Sequence, residues 1–86
     1  MSMIDVEINL TSWFKKYTNG IHELKMEVEN GTTVEQIILK LGIPEKDIGS
    51  IIVTNDIAPE LKNKVELNYE MKNGDHVLVI PPILGG

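Results

Sequence analysis

The two residues at the end of the sequence, Gly85-Gly86, are those whose type and position best suit chemistry. They follow Pro81-Pro82-Ile83-Leu84, and the two prolines cannot donate to a β-sheet and favour a stiff, extended arm. Four residues beyond such an arm span roughly 13–14 Å when extended. Because glycine packs nothing and loses entropy on folding, fold stability explains the pair poorly. We expect residues 81–86 to be a flexible tail that carries the Gly86 carboxylate into another protein's site; a Gly-rich frayed end is the alternative.

The other residue types that could catalyse a reaction or bind a metal form no motif. The chain has no cysteine, which excludes disulfides, a cysteine nucleophile and thiolate metal sites. His22 and His76 are the only histidines and lack a third ligand at metal-site spacing, so polar roles at strand ends are predicted. Glu23, Glu27 and Glu29 read as a solvated row on an outward strand face. We therefore expect no metal or cofactor on this chain, and no enzyme activity of the domain alone.

Composition restricts the class of protein and of partner. The 86 residues suffice for one domain with a modest core, and no segment has the roughly 20 apolar residues of a membrane helix. A formal net charge of −5, with eight lysines and no arginine, disfavours nucleic acid, which requires a basic face. The N-terminus has no signal-peptide pattern. We expect a soluble, cytoplasmic protein that binds proteins with basic docking surfaces, without nucleic-acid or membrane partners.

The first third of the sequence predicts two half-buried antiparallel strands. Residues 4–10 and 23–29 alternate apolar and polar side chains, which is the strand period. The turn residues Thr18-Asn19-Gly20 lie between them. Apolar packing is the predicted role of three aromatic residues in this connection, with partner contact as the alternative: Trp13, Phe14 and Tyr17.

The middle of the sequence predicts one helix, from about residue 33 to residue 41. An apolar stripe recurs at helical spacing at Val34, Ile37, Ile38 and Leu41. Two capping boxes overlap at the start, Thr32 with Glu35 and Thr33 with Gln36. Gly42 supplies a left-handed end.

The last part of the sequence predicts three further strands. Ile51-Ile52-Val53-Thr54 is β-branched, Pro59 makes the following stretch irregular, and Val65 with Leu67 predicts a short edge strand. The turn at residues 72–75 precedes the apolar strand of residues 76–80. This order predicts an α+β, β-grasp domain over residues 1–80, with a mixed sheet of four to five strands and one main helix on one face. In this plan the first and last strands are parallel and central.

The segment from Asn73 to Gly86, NGDHVLVIPPILGG, resembles the C-terminal signature of molybdopterin synthase small subunits. Gly31-Thr32-Thr33-Val34 and Val53-Thr54-Asn55-Asp56 are similar to the wider MoaD/ThiS family of ubiquitin-like sulfur carriers, so the resemblance spans nearly the whole chain. It implies that an E1-like adenylyltransferase of the MoeB/ThiF type adenylates Gly86. The glycine then becomes a thiocarboxylate and enters the large synthase subunit, of the MoaE type, to deliver sulfur. ATP and metal would belong to the activating partner.

Activation is needed because a free α-carboxylate, with a pKa of about 3.3–3.7, is a poor electrophile at neutral pH. The resemblance leaves three alternatives: a protein modifier conjugated to lysines, a thiamine-pathway carrier, whose tail usually lacks the two prolines, and an interaction domain that merely ends in two glycines.

The last strand also predicts a docking surface. Val77 and Val79 share one face, and a single helix covers only one face of a sheet. If they face the helix, Leu78 and Ile80 form an exposed apolar patch beside the tail, widened by Ile52, and such patches mark interfaces. The alternative is that loop residues such as Trp13 fold over the patch.

Overall fold

The computed structural model describes residues 2–82, so the predicted tail residues Ile83, Leu84, Gly85 and Gly86 lie outside the described residues. The strands are β1 (Met3–Leu10), β2 (Glu23–Glu29), β3 (Ser50–Asn55), β4 (Ala58–Val65) and β5 (Asp75–Ile80). The helices are α1 (Lys15–Thr18) and α2 (Val34–Leu41), and single 3-10 turns occur at Ser12–Phe14 and Glu45–Asp47. None of the helices in residues 2–82 is long and apolar enough to cross a membrane.

The five strands form one mixed sheet in the order β2-β1-β5-β3-β4. β1 and β2 are antiparallel, with Val6 opposite Met26, and β1 and β5 are parallel, with Ile8 opposite Val77. β3 pairs antiparallel with both β4 and β5. The α+β β-grasp prediction, with parallel first and last strands at the centre, is therefore confirmed.

Helix α2 is held at both ends by local sequence. Of the two possible capping boxes, the structure uses Thr33 with Gln36: the Gln36 amide donates to Thr33 Oγ1, and the Thr33 amide donates to Gln36 Oε1. Gly42 ends the helix with a φ of 77°, the left-handed conformation in which glycine lacks the Cβ penalty.

The core lies between α2 and one face of the sheet. Each strand of the central pair alternates, so Val77 and Val79 of β5 are fully buried under the helix. The buried apolar residues are Ile4, Val6, Ile8, Leu10, Phe14, Val28, Val34, Ile37, Ile38, Ile43, Ile51, Val53, Met71, Val77 and Val79. The opposite face of the sheet has no described helix packed on it, and its side chains are exposed or half-buried.

The prediction for the stretch after Pro59 is wrong in the extent of the strand. The predicted edge strand is present, but it runs from Ala58 to Val65 and Leu67 lies beyond it. Its ladder with β3 shifts register between Val53 and Asn55. Proline is tolerated because β4 is an edge strand, where a missing N–H need not break a ladder on both sides. The full length of the strand is not evident in the sequence, because an edge strand exposed on both faces lacks apolar alternation and contains lysines.

The start of β5 is fixed by a buried carboxylate. Asp75 is 2% exposed, and it accepts hydrogen bonds from Asn55 Nδ2 at 2.7 Å, from the Tyr69 hydroxyl at 2.8 Å and from the Lys72 amide at 2.8 Å. Burying a carboxylate is unfavourable unless its oxygens are hydrogen-bonded, and here they are. Burial and Asp75 together raise the pKa of Tyr69 to about 12.

Candidate functional site

Pro81-Pro82, named here the root of the tail, lie at one end of the central strand pair, β1 and β5. Because β1 and β5 are parallel, with Leu10 opposite Val79, the C-terminal ends of both strands lie at the same end of the sheet. β3 begins there too, with Ser50 opposite Ile80. The chain leaves β5 at Pro81-Pro82, both half-buried and outside any strand, so the residues that follow start at this end of the sheet.

Gly49 supports the root of the tail, although no sequence argument identified it. Its amide donates to the carbonyl oxygen of Ile80 at 2.7 Å, which is the last backbone hydrogen bond that β5 receives before the prolines. The backbone of Pro81 and Pro82 lies directly against its Cα. The available signal was a glycine immediately before a β-branched strand, a position that often marks close approach of another backbone.

The β1–β2 connection lies beside the same end of the sheet. Phe14 is fully buried in the core, which confirms the predicted apolar packing for this residue, whereas Trp13 stacks edge-on against it and remains 39% exposed. The Lys16 ammonium lies over the Trp13 ring, 4.7 Å from its centroid. Tyr17 donates a hydrogen bond to Asp47 in the 3-10 turn that precedes β3, and this contact raises the pKa of Tyr17. The connection is thus tied to the segment that carries Gly49.

The predicted docking residues Leu78, Ile80 and Ile52 are neighbours on the open face of the sheet. Leu78 lies opposite Ile52 in the β3–β5 ladder, and Ile80 is the next β5 residue on that face. Leu78 is 37% exposed, and the two isoleucines are half-buried. These three residues, named here the apolar patch, lead along the open face to the root of the tail.

A polar cluster borders the apolar patch on the side away from the tail. His76 precedes Leu78 on the same face of β5, with Nδ1 3.0 Å from Glu7 Oε2 and Nε2 2.5 Å from Asp56 Oδ1. Both ring nitrogens can donate only in the imidazolium form, so the hydrogen bond to Asp56 and then that to Glu7 raise the pKa of His76. The bond from His76 is also the main cause that lowers the pKa of Glu7. His76 therefore has a polar structural role at this border.

Among residues 2–82, no group of three or more histidine, aspartate or glutamate side chains is placed to hold a metal ion. Glu23, Glu27 and Glu29 are exposed on the outward face of β2, as predicted. The structure thus brings together the apolar patch and the Pro81-Pro82 segment at one end of the sheet.

A model of the ThiS family matches residues 8–86. The chain belongs to the ThiS family. The match extends through the last residue, Gly86, and covers all five strands in whole or part. No curated protein sequence gives a significant match.

Solved structures resemble this ThiS family member over nearly its whole length. A Pyrococcus furiosus protein assigned as molybdopterin converting factor subunit 1 is 23% identical with a TM-score of 0.65, covering 93% of this chain and 99% of that chain. SAMP1 from Haloferax volcanii is 17% identical with a TM-score of 0.61, covering 95% and 99%. The C-terminal ubiquitin-like domain of mouse tubulin-specific chaperone e is 15% identical with a TM-score of 0.62, covering 99% and 92%. The chain thus has the ubiquitin-like fold of ThiS/MoaD-type sulfur carriers.

Proposed function

We propose that this protein is a sulfur carrier in molybdopterin biosynthesis, with Gly86 as its working residue. The carboxylate of Gly86 attacks the α-phosphate of ATP on an E1-like enzyme, forming an acyl adenylate and releasing pyrophosphate. Sulfide from a donor then attacks the acyl carbon, the acyl–oxygen bond to AMP breaks, and a thiocarboxylate remains on the glycine. The tail then enters the large subunit of a molybdopterin synthase, which supplies the catalytic residues.

The observation that carries the proposal is the place at which the chain leaves the sheet after β5. The central strand β5 ends at Ile80 and Pro81-Pro82 follow it, so the part of the ThiS-family match after the prolines begins at one end of the sheet. Neither proline can extend a ladder, and both favour an extended chain. The division into a β-grasp domain of residues 1–80 and a tail of residues 81–86 is part of this proposal.

The apolar patch supports a docking role for the open face. It combines Leu78 with the half-buried Ile52 and Ile80, next to the tail root, where a partner that receives the tail must also contact the domain. When a partner covers partly exposed apolar side chains at such a place, the burial of their surface favours binding. We assign the patch to the E1-like enzyme and to the large synthase subunit, with ATP and metal bound by the former.

The test is the intact mass of the protein after incubation with ATP, a sulfur donor and a cognate E1-like enzyme. The expected product has one oxygen of the terminal carboxylate replaced by sulfur. A variant that lacks Gly86 should remain folded, because the tail lies after the last strand, and should gain no sulfur. Sulfur transfer by that variant would overturn the proposal.

A protein modifier is the second candidate, because the same activated glycine could be transferred to a lysine. The likeness in fold to SAMP1, small archaeal modifier protein 1 of Haloferax volcanii, favours testing it. Lysine conjugates found by mass spectrometry, without sulfur delivery to a molybdopterin precursor, would select the modifier. Delivery of sulfur in thiamine synthesis instead would place the protein in that pathway, and full function without Gly86 would leave only an interaction domain.

A further inference from the structure

Gly49 has no room for a side chain because the start of the tail occupies that space. A Cβ atom built on Gly49 would lie 2.6 Å from the carbonyl carbon of Pro81 and 2.6 Å from the Cα of Pro82, and would overlap the Pro81 carbonyl oxygen. Cβ atoms essentially never approach heavy atoms outside their own residue and its chain neighbours within 3.0 Å. Any other residue at this position must therefore displace the chain where it leaves the sheet.

The requirement for glycine at this position is steric and not conformational. Within residues 2–82, the glycines with positive φ are Gly20, Gly31, Gly42 and Gly74, and Gly49 is not among them. The three atoms nearest to such a Cβ all belong to the backbone, so a side-chain rotation cannot relieve the overlap. An alanine could adopt the local backbone of Gly49, but only if the Pro81-Pro82 arm moved away.

We infer that Gly49 is a positioning residue that sets the direction in which the tail leaves the sheet. Proline fixes its own φ and restricts the residue before it to extended conformations, so Ile80, Pro81 and Pro82 form a stiff unit. A displacement of this unit therefore changes the direction of the chain at Pro82, the last described residue. The consequence for delivery of the Gly86 carboxylate rests on the proposed function, whereas the contact itself does not.

The test compares Gly49→Ala with Lys46→Ala, an exposed substitution in the same connection, in the full-length protein. With the activating enzyme, Gly49→Ala should reduce the turnover of thiocarboxylation by about tenfold or more, since small misplacements of a reacting group have effects of this order. The KM for the carrier should stay near its wild-type value, because the apolar patch is unchanged. Lys46→Ala should match the wild type in both constants.

A rescue variant separates positioning from a loss of structure. Pro82→Gly gives the arm a residue that can bend, so Gly49→Ala combined with Pro82→Gly should recover a large part of the lost turnover. A merely structural role predicts a lower unfolding midpoint, a higher KM and no rescue. That pattern would contradict the inference.

An NMR measurement tests the contact independently of any activity. The wild type and Lys46→Ala should show a nuclear Overhauser effect between the Hα protons of Gly49 and Pro82, and Gly49→Ala should lose it while the effects within the β3–β5 ladder persist. If the wild type gains no sulfur, the proposed function fails, and this contact alone decides the inference. Absence of the contact in the wild type, or a wild-type turnover of Gly49→Ala in a protein that is thiocarboxylated, would overturn it.

Discussion

Truncation of Leu78 tests whether the apolar patch is a docking surface. Leu78 is 37% exposed, so about two thirds of its side chain already packs within the domain. Full burial of a leucine side chain contributes about 1.5–3 kcal/mol. Leu78→Ala should therefore lower the free energy of unfolding by about 1–2 kcal/mol, and remove about 0.6–1.1 kcal/mol that a partner would gain by covering the remainder. The second figure corresponds to a Kd about three- to sixfold weaker.

Leu39→Ala provides the matched control. Leu39 lies on α2, on the opposite side of the sheet from the patch, and is 69% exposed. Its truncation should leave the Kd unchanged and lower the free energy of unfolding by less than Leu78→Ala does. Both variants would be studied by urea denaturation, and by calorimetric titration with the E1-like enzyme that processes the wild type.

Two results would refute this reasoning about Leu78. If Leu39→Ala weakens binding and Leu78→Ala does not, the partner docks on the helical side. If Leu78→Ala loses more than about 3 kcal/mol of stability, the residue behaves as a core leucine and its exposed third has no separate role.

Two further predictions concern the fold around the site. Phe14→Ala should lower the free energy of unfolding by about 3–5 kcal/mol in urea denaturation, because the ring is fully buried. Trp13 is 39% exposed, so Trp13→Ala should lower it by less, about 2–3 kcal/mol, and equal losses would show that Trp13 packs as fully as Phe14. His76→Gln should reduce stability by about 0.2–1 kcal/mol. Because the folded-state pKa of His76 lies above its ordinary value of 6.5, that difference should be largest below about pH 6.5 and should vanish as the pH rises through the folded-state pKa. It should also shrink at acidic pH, as Glu7, whose pKa is lowered, becomes protonated below 4.5. A difference that grows above pH 8 would contradict the bridge from His76 to Glu7 and Asp56.

Local sequence was sufficient for most of the fold and for the main elements near the site. The alternation of β1 and β2, the helical stripe of α2 and the Pro-Pro stop after β5 are each written within a few neighbouring residues. Side-chain periodicity and backbone restrictions act over that same range, so they can be read without tertiary contacts. The apolar patch could also be predicted from local sequence. Alternation in β5 places Leu78 and Ile80 on one face of the sheet, and the single helix covers the opposite face.

Tertiary structure decided the features that depend on pairing between distant segments. The sequence predicted an edge strand only at Val65 and Leu67, and the ladder with β3 shows that β4 begins at Ala58 despite Pro59 and the strand's lysines. The bridge between His76 and Glu7 joins residues 69 positions apart, and it exists because the parallel register of β1 and β5 sets them side by side. Gly49 meets Pro81 and Pro82 for the same reason, since β3 begins where β5 ends. Register is fixed by the packing of the whole core, so no local pattern could have placed these residues together.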